Sequence, residues 1–428
     1  MQQDKSAHFL PGIKNIVIDG FQFPLSIFPE QHQRHYFLTQ YHQDHFKGLS
    51  PEWNQGHIYC SPITANALLN IMKFQTPSLV HSIEYNVPQI LYDDIEFTFL
   101  DANHCPGSIM ILFYCKSKNL YHLHTGMMKY SPSMKMYPAL LQQQHQPQQL
   151  PPPPQQQQQQ LQLQSLNTAS PLPPLAPSSS STPSNSSSSQ HIKIDSLLLD
   201  TTYAHPKHNF ASMEIILKKI IDMITDFLQK GSSSSSSSSN NNNGIVFISP
   251  YGLGKEIILK TILQECPDQC VHIPDEYYEF YELIPEYQPY YETNRIVRDR
   301  SMSLIHLVDQ DFSHFTGSFF QPRFDRIHEL IHVINEEKKM KYMNSTPELL
   351  TRALAILPSG WADTSNYQKV NPYQVKDQIH IQLLPFIEHS PYNDLVEFVK
   401  FIKPREVIPT VYADVSSVSL FPIDFLSI

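Results

Sequence analysis

Two polar tracts limit how much of this 428-residue chain can fold into compact structure. Residues 142–190 are rich in Gln, Pro and Ser, and residues 232–243 are a run of Ser followed by a run of Asn. Neither tract carries enough apolar side chains to offset the conformational entropy that ordering removes, so we expect both to be disordered loops. Roughly 350 residues are then left for folded domains.

Both tracts fall between predicted elements of secondary structure. Strand-like segments at residues 119–124 and 192–199 flank the first tract, while an amphipathic helix at 211–229 and an apolar strand at 244–248 flank the second. Elsewhere we predict strands at 16–18, 36–39, 57–60, 95–100 and 109–113, helices at 62–74, 254–265 and 323–336, and a strand, helix, strand series at 380–384, 393–402 and 406–411. This alternation favours an α/β layered fold.

The charge and cysteine content disfavour several classes of protein. The formal net charge of −10 argues against nonspecific coating of nucleic acid, so a DNA-binding function would need a local basic groove. The five cysteines include no CxxC pair, which disfavours a structural zinc cluster and suits a reducing compartment. No apolar run approaches 20 residues, so we expect no membrane-spanning segment.

The segment YFLTQYHQDHFKGL, residues 36–49, leads from an apolar strand directly into a group of possible metal ligands. His42, Asp44 and His45 offer imidazole and carboxylate donors, which zinc accepts. Alternate residues of a strand share a face, so positions 40 and 42 should face one ion while 44 and 45 reach a second beyond the turn. Taken alone, the cluster is equally consistent with a polar surface turn.

A second segment, LDANHCPGSIMILF at residues 100–113, places His104 in a turn between two apolar strands. A buried histidine is costly in free energy unless it is hydrogen-bonded or bound to a metal. Two separate strand ends that carry histidines therefore favour a metal site over a surface turn.

These two segments resemble the motifs of the metallo-β-lactamase/β-CASP family of DNA cross-link repair nucleases, of the Apollo and Artemis type. Further matching segments follow in the family's order: IYCSPITANALL (58–69), DTTYAHP (200–206), SPYGLGKE (249–256), IHLVD (305–309), LAILPSGW (354–361) and PFIEHSPY with FIKPREVIPTV (385–411). DANHCPGS and YGLGKE are most similar to the Apollo type. The resemblance implies an α/β fold, a metallo-β-lactamase αββα sandwich with an inserted β-CASP domain.

The same resemblance implies the domain boundaries. A first metallo-β-lactamase part would cover residues 11–200, including the 142–190 insert, and a final part would cover residues 377–428. The β-CASP domain would occupy residues 201–376, including the 232–243 insert, and the site would lie between the two domains.

The family's functional residues carry over to named positions in this chain. The implied metal ligands are His42, Asp44, His45, His104 and His389, and the implied catalytic carboxylates are Asp44, Asp19 and Asp200. A DNA phosphate would be bound near Ser390, Thr201, Lys255 and Lys129. Val411 stands where RNA-processing members carry a further histidine, which points to DNA rather than RNA.

The implied activity is metal-dependent trimming of DNA from a 5′ end. One or two zinc ions would polarise a phosphoryl oxygen and convert a bound water to hydroxide, with Asp44 or a neighbouring carboxylate orienting it. The resemblance implies DNA, with 5′-phosphorylated ends, as the partner, and a location in the nucleus, although no clear targeting signal is visible.

Three positions depart from the family's pattern. Gln40 replaces the first histidine of HxHxDH, and Met127 replaces the aspartate of TGDFRY that bridges two metals. An amide oxygen is a poor zinc donor, and a thioether cannot bridge two hard dications. Pro391 replaces the second serine of HSSY, which weakens the expected phosphate pocket.

Three functions remain open from the sequence. The chain could be a DNA cross-link and break repair 5′-to-3′ exonuclease with a compromised metal site, or a non-catalytic DNA- or partner-binding pseudoenzyme of the same fold. Hydrolysis of a small substrate such as a lactam or thioester is a third possibility that the fold alone permits. The β-CASP-type segments count against this third function.

Overall fold

The structure is a computed structural model that describes residues 8–23, 34–141, 191–208, 210–229, 243–316, 319–343, 347–363 and 371–411. The polar tract at 142–190 and residues 232–242 of the second tract lie outside the described residues, so their predicted disorder stays a prediction. Residues 136–192 are divided from the rest of the chain as a separate unit, of which the structure describes a 3₁₀ helix at Pro138–Leu140 and a bridge between Leu141 and His191.

Two sheets are built from the N-terminal half of the chain and one late strand. The first has the order β1 (Phe9–Leu10), β2 (Ile13–Ile18), β3 (His35–Phe37), β4 (His57–Cys60), β5 (Val80–Ser82), and β2 to β5 run parallel. The second has the order β20 (Glu406–Pro409), β10 (Ser196–Leu199), β9 (Leu120–His124), β8 (Ile109–Cys115), β7 (Ile95–Asp101), β6 (Gln89–Tyr92).

An apolar core joins the facing sides of these two sheets. Ile16, Ile18 and Phe37 of the first sheet are buried in the same cluster as Phe97 and Phe113 of the second. The ring of Phe37 lies edge-on to Phe97 at 5.0 Å and to Phe113 at 5.1 Å between centroids, an arrangement that favours aromatic attraction. The two sheets therefore form a sandwich.

The outer face of the first sheet is covered by the helix α1 (Pro62–Asn70). Alternate strand residues point outward here, so Val17, Leu38 and Ile58 pack with Leu68 of the helix in a second cluster. Ser61 caps the helix by accepting a hydrogen bond from the backbone N–H of Thr64.

The third sheet comes from the middle of the chain. Its order is β13 (Ile296–Val297), β12 (Val271–His272), β14 (Ile305–Leu307), β11 (Gly244–Ile248), β17 (Arg352–Ser359), β19 (Ile379–Pro385), β18 (Tyr373–Lys376). All neighbouring strands are parallel except β18 and β19. A separate hairpin pairs β15 (Ser313–Thr316) with β16 (Phe319–Pro322).

Helices cover both faces of the third sheet. They are α2 (Met213–Gln229), α3 (Glu256–Glu265), α4 (Asp275–Glu282), α5 (Gln288–Glu292) and α6 (Phe324–Lys341), and a last helix, α7 (Tyr392–Ile402), precedes β20. Val246 of β11 packs in the core cluster of α2 to α4, whereas Phe247 packs in the cluster of α6. A strand buried on both faces explains the continuous apolar sequence GIVFI.

The predicted α/β class is confirmed, with small differences at the ends of elements. The helix predicted at 62–74 ends at Asn70, and the helix predicted at 323–336 continues to Lys341. The predicted division at residue 376 stays a prediction, and β19, which follows it, pairs with β17 in the third sheet. None of the helices in the described ranges combines the length and the apolar character that a membrane span requires.

A buried imidazole pair lies in the third sheet. His272 of β12 is the register partner of His306 of β14, and their ring centroids are 5.0 Å apart. The Nδ1 atom of His272 is buried and finds no hydrogen-bond partner among the described residues. Burial, aided by Arg300, lowers the pKa of His272 from 6.5 to about 4.

This lowered pKa makes the stability of the fold depend on pH. The unfolded chain takes up a proton at His272 below pH 6.5, but the folded chain does so only below about pH 4, so stability falls as the pH falls between these values. The variant His272→Leu lacks this group, so its free energy of unfolding should not show this loss. We expect the difference in unfolding free energy between the variant and the wild type to shift by about 2 kcal/mol in favour of the variant when the pH is lowered from 7 to about 4.5. Urea unfolding of both proteins at the two pH values measures this difference, and an unchanged difference would contradict the expectation.

Candidate functional site

The predicted site residues come from loops that follow the strands of the sandwich and of the third sheet. Asp19 follows β2, and the segment with Gln40, His42, Asp44 and His45 follows β3. His104 joins β7 to β8, Met127 follows β9, Asp200 follows β10, and His389 lies between β19 and α7. Because parallel strands end at one edge of their sheet, loops that are distant in sequence meet there.

Asp19 and His45 form a buried pair at this edge. The Asp19 carboxylate accepts hydrogen bonds from the backbone N–H of Thr39 at 2.8 Å, from the Thr39 hydroxyl at 2.7 Å and from His45 Nδ1 at 2.7 Å. Burial acts to raise the pKa of Asp19, but His45 and Thr39 outweigh it and hold that pKa below its ordinary value. The pair fixes the His45 ring through Nδ1 and leaves Nε2 as its other possible donor to a ligand.

His104 and His389 lie side by side with their ring centroids 4.8 Å apart. His104 Nδ1 donates to the carbonyl oxygen of Glu388 at 2.9 Å, and His389 Nδ1 donates to Asp200 Oδ2 at 2.7 Å. Burial, together with His389, lowers the pKa of His104 to about 3. Burial also acts to lower the pKa of His389, but the Asp200 carboxylate outweighs it and the pKa is raised.

Three of the predicted histidine ligands are therefore oriented in the way that metal-binding histidines usually are. Their Nδ1 atoms are held by carboxylate or carbonyl oxygens, which leaves Nε2 as the remaining donor. The fourth, His42, has a buried Nδ1 with no hydrogen-bond partner in the described part of the chain, and its ring centroid is 6.1 Å from that of His45. Burial, together with His45, lowers the pKa of His42, and the charge of the exposed Asp44 acts against this effect.

The two substituted positions, Gln40 and Met127, contact each other. The fully buried Gln40 donates from Nε2 to Met127 Sδ at 3.3 Å, while its Oε1 lies 3.7 Å from the thiol of Cys105. A thioether and an amide cannot supply the charge of a bridging carboxylate. No group of three or more His, Cys, Asp or Glu side chains in the described ranges is arranged to hold a metal ion. The residues present do not fit a two-metal centre.

The hydroxyls predicted to bind phosphate have partners within the protein. Ser390, which is buried, donates from Oγ to the carbonyl of Met128 at 2.8 Å and accepts from the N–H of Tyr130 at 2.8 Å. Thr201 donates from its hydroxyl to the carbonyl of Val411 at 2.5 Å. These hydroxyls join neighbouring loops, and their role in phosphate binding remains a prediction.

The two predicted lysines also lie close to the site. Lys129 donates from Nζ to the carbonyl of His389 at 3.2 Å. Lys255 donates to the carbonyl of Pro250 at 2.6 Å and lies 3.9 Å from the carboxylate of Glu388. Burial lowers the pKa of both lysines, against the opposing effect of nearby carboxylates.

Sequence reasoning missed two residues of the site. Glu388 anchors His104 through its carbonyl and faces Lys255 through its side chain. Cys105 contacts Gln40 through its thiol. Both directly neighbour a predicted ligand in sequence, and this adjacency is the signal that could have identified them.

Comparison with known proteins gives one family match. The family model described as "DNA repair metallo-beta-lactamase" matches residues 292–414. The chain is 26% identical over 411 residues to DNA ligase 6 of Arabidopsis thaliana. The aligned region covers 94% of this chain and 23% of the relative. It is 24% identical over 380 residues to DNA cross-link repair protein SNM1 of Arabidopsis thaliana, with 88% and 60% covered.

A further relative is 5′ exonuclease Apollo of Gallus gallus. The identity is 26% over 383 residues, which covers 89% of this chain and 59% of the relative. The chain thus spans from 23% to 60% of the length of these three relatives.

The pair of Asp200 and His389 predicts a stability effect. Asp200→Ala would leave His389 buried without its counterion and would remove the acceptor of the Met128 N–H, so we expect a loss of about 3–5 kcal/mol of unfolding free energy. Asp200→Asn keeps the shape of the side chain and one acceptor oxygen, so its loss of unfolding free energy should be smaller. Guanidinium unfolding of the two variants measures both losses, and equal losses would contradict the ion-pair explanation.

Proposed function

We propose that the chain, which matches the DNA-repair metallo-β-lactamase family model over residues 292–414, acts in DNA cross-link repair as a DNA-binding protein that lacks two-metal hydrolysis. The observation that carries this proposal is the contact of Gln40 with Met127, 3.3 Å between Nε2 and Sδ. In this family, these two positions would supply one metal ligand and the carboxylate that bridges two metals. Without that charge, two dications at this place would repel each other.

The proposed partner is DNA, at ends that carry a 5′ phosphate, and the proposed location is the nucleus. Relatives at 24–26% identity are named for DNA cross-link repair and as a 5′ exonuclease. The net charge of −10 restricts binding to a local surface, for which Lys129 and Lys255 supply the positive charge beside His389 and Glu388. Because the salt dependence of DNA binding grows with the number of phosphates that are neutralised, binding through so few cations should weaken only gradually as salt is added.

A second candidate function is hydrolysis at a reduced centre that holds one zinc ion. It is favoured by the histidines His45, His104 and His389, whose Nδ1 atoms are already held by oxygen atoms. To share one ion, the three side chains would have to move closer together, because no group of three or more His, Cys, Asp or Glu side chains in the described ranges is arranged to hold a metal. A bound zinc ion would supply Lewis acidity at this place. The chain itself would keep the three rings in orientation and, through Lys129, would hold a phosphate near them.

Restoring the family's residues tests the proposal. We expect the wild type to bind a fluorescent 5′-phosphorylated duplex without digesting it in the presence of zinc. The double variant Gln40→His with Met127→Asp should bind about two zinc ions at the site and digest the duplex from its 5′ end, because the bridging carboxylate is restored. The single variant Gln40→His is the matched control and should remain inactive. Wild-type digestion at the rate of the double variant would refute the proposal.

His389→Ala separates the two candidate functions. If the wild type is a one-zinc hydrolase, this substitution removes a ligand and both zinc binding and digestion should fall by about tenfold or more. If the wild type only binds DNA, digestion should equal the background before and after the substitution. Time courses of DNA digestion, with thermal unfolding to show that the variant is folded, measure the difference.

A further inference from the structure

A second pair of histidines lies outside the candidate site. His57 opens β4 and His81 lies in the neighbouring parallel strand β5. His57 Nδ1 is 2.7 Å from His81 Nε2, and both side chains are half-buried. We propose that these two imidazoles bind a late first-row divalent metal ion, of the class Cu²⁺, Ni²⁺ or Zn²⁺, at a solvent-accessible site distinct from the candidate centre.

The strands place this pair away from the candidate site. His57 is the register partner of His35, the first residue of β3, whereas Gln40 and His42 follow the other end of that strand. At about 3.3 Å per residue, five residues of extended chain separate His35 from Gln40 by roughly 16 Å. One ion cannot be shared between the two places.

Neighbouring rings fix the orientation of the pair. Tyr59 stacks on His81 at 4.7 Å between centroids with an interplanar angle of 15°. The Tyr59 hydroxyl in turn lies 3.1 Å from His35 Nδ1. Held by this stack, His81 loses little freedom when it binds a ligand together with His57 on the neighbouring strand.

The distance between the two nitrogens suits chelation. Bonds of about 2.0–2.1 Å from one ion to two imidazoles place the nitrogens roughly 3 Å apart. An opening of a few tenths of an ångström, with a rotation of the rings that turns both nitrogens toward one position, therefore converts the contact of 2.7 Å into a metal site. In the metal-free state one of these two nitrogens carries the proton that lies between them. When the metal binds, that imidazole changes tautomer: the proton leaves this nitrogen for solvent, the other nitrogen of the same ring takes one up, and both ligands stay neutral. Burial, with the effect of His57, lowers the pKa of His81 and so favours its neutral form.

The chemical class of the ion follows from the donors. Imidazole suits copper, nickel and zinc, and affinity in this series is highest for Cu²⁺. No third His, Cys, Asp or Glu completes a metal-binding group in the described part of the chain, so water would fill the remaining positions. Such a site exchanges its ion with solvent, and a metal count on the whole protein would include it.

Copper titration of the metal-free full chain tests this inference. We expect one tight Cu²⁺ ion by calorimetry and a paramagnetic resonance spectrum with two coordinating nitrogens. His57→Ala and His81→Ala should each weaken this binding by at least about tenfold, because losing a ligand costs no less than losing an outer-shell partner. Exposed His332→Ala on α6 is the matched control and should bind Cu²⁺ like the wild type.

Two further variants make the result decisive. His81→Gln keeps a polar side chain of similar length and should lose the ion as His81→Ala does, while its thermal unfolding in chelator matches the wild type. His389→Ala should leave this Cu²⁺ binding intact, whatever it does to DNA digestion. Unchanged binding in the His57 and His81 variants, or loss of binding in His389→Ala alone, would overturn the inference.

Discussion

The buried pair of Asp200 and His389 holds the candidate site together. Asp200, at the end of β10, accepts hydrogen bonds from His389 at 2.7 Å and from the backbone N–H of Met128 at 3.1 Å. Through these bonds it joins one sheet of the sandwich to the loop that leaves the third sheet. The Ser390 hydroxyl makes a second link between the same two segments, because it donates a hydrogen bond to the carbonyl oxygen of Met128. Because charges without partners are expensive to bury, the loops must stay in this arrangement for the fold to be stable.

The same framework explains how the site can lose its metal chemistry while the fold is retained. Gln40 is fully buried, and it satisfies its side-chain N–H group on Met127 and places its oxygen beside Cys105. A buried polar group that finds partners costs little stability, so both substitutions fit into the core of the site. The supporting pair of Asp19 and His45 is formed, with 2.7 Å between Oδ2 and Nδ1. Under the proposed function, the orienting residues of a metal centre are present beside two positions whose amide and thioether side chains are poor metal donors.

The electrostatics of the site differ from those of the whole chain. The formal net charge is −10, yet Lys129 and Lys255 lie at the site and are partly buried. Burial lowers the pKa of both, and nearby carboxylates such as Glu388 act against this effect. A surface of this kind has few cations to offer a phosphate backbone, which favours binding at one place over binding along a length of DNA.

The sequence by itself determined the α/β class, the resemblance to DNA cross-link repair nucleases and the strand ends that carry His42, His104 and His389, because strand periodicity and short motifs are local properties. It also identified Gln40 and Met127 as departures from the family's pattern. Only the tertiary structure decided that these two side chains contact each other across 87 positions, that Ser390 and Thr201 bind backbone groups, and that His57 faces His81. Pairings of this kind depend on strand register and on the packing of separate loops, which no local pattern in the sequence specifies.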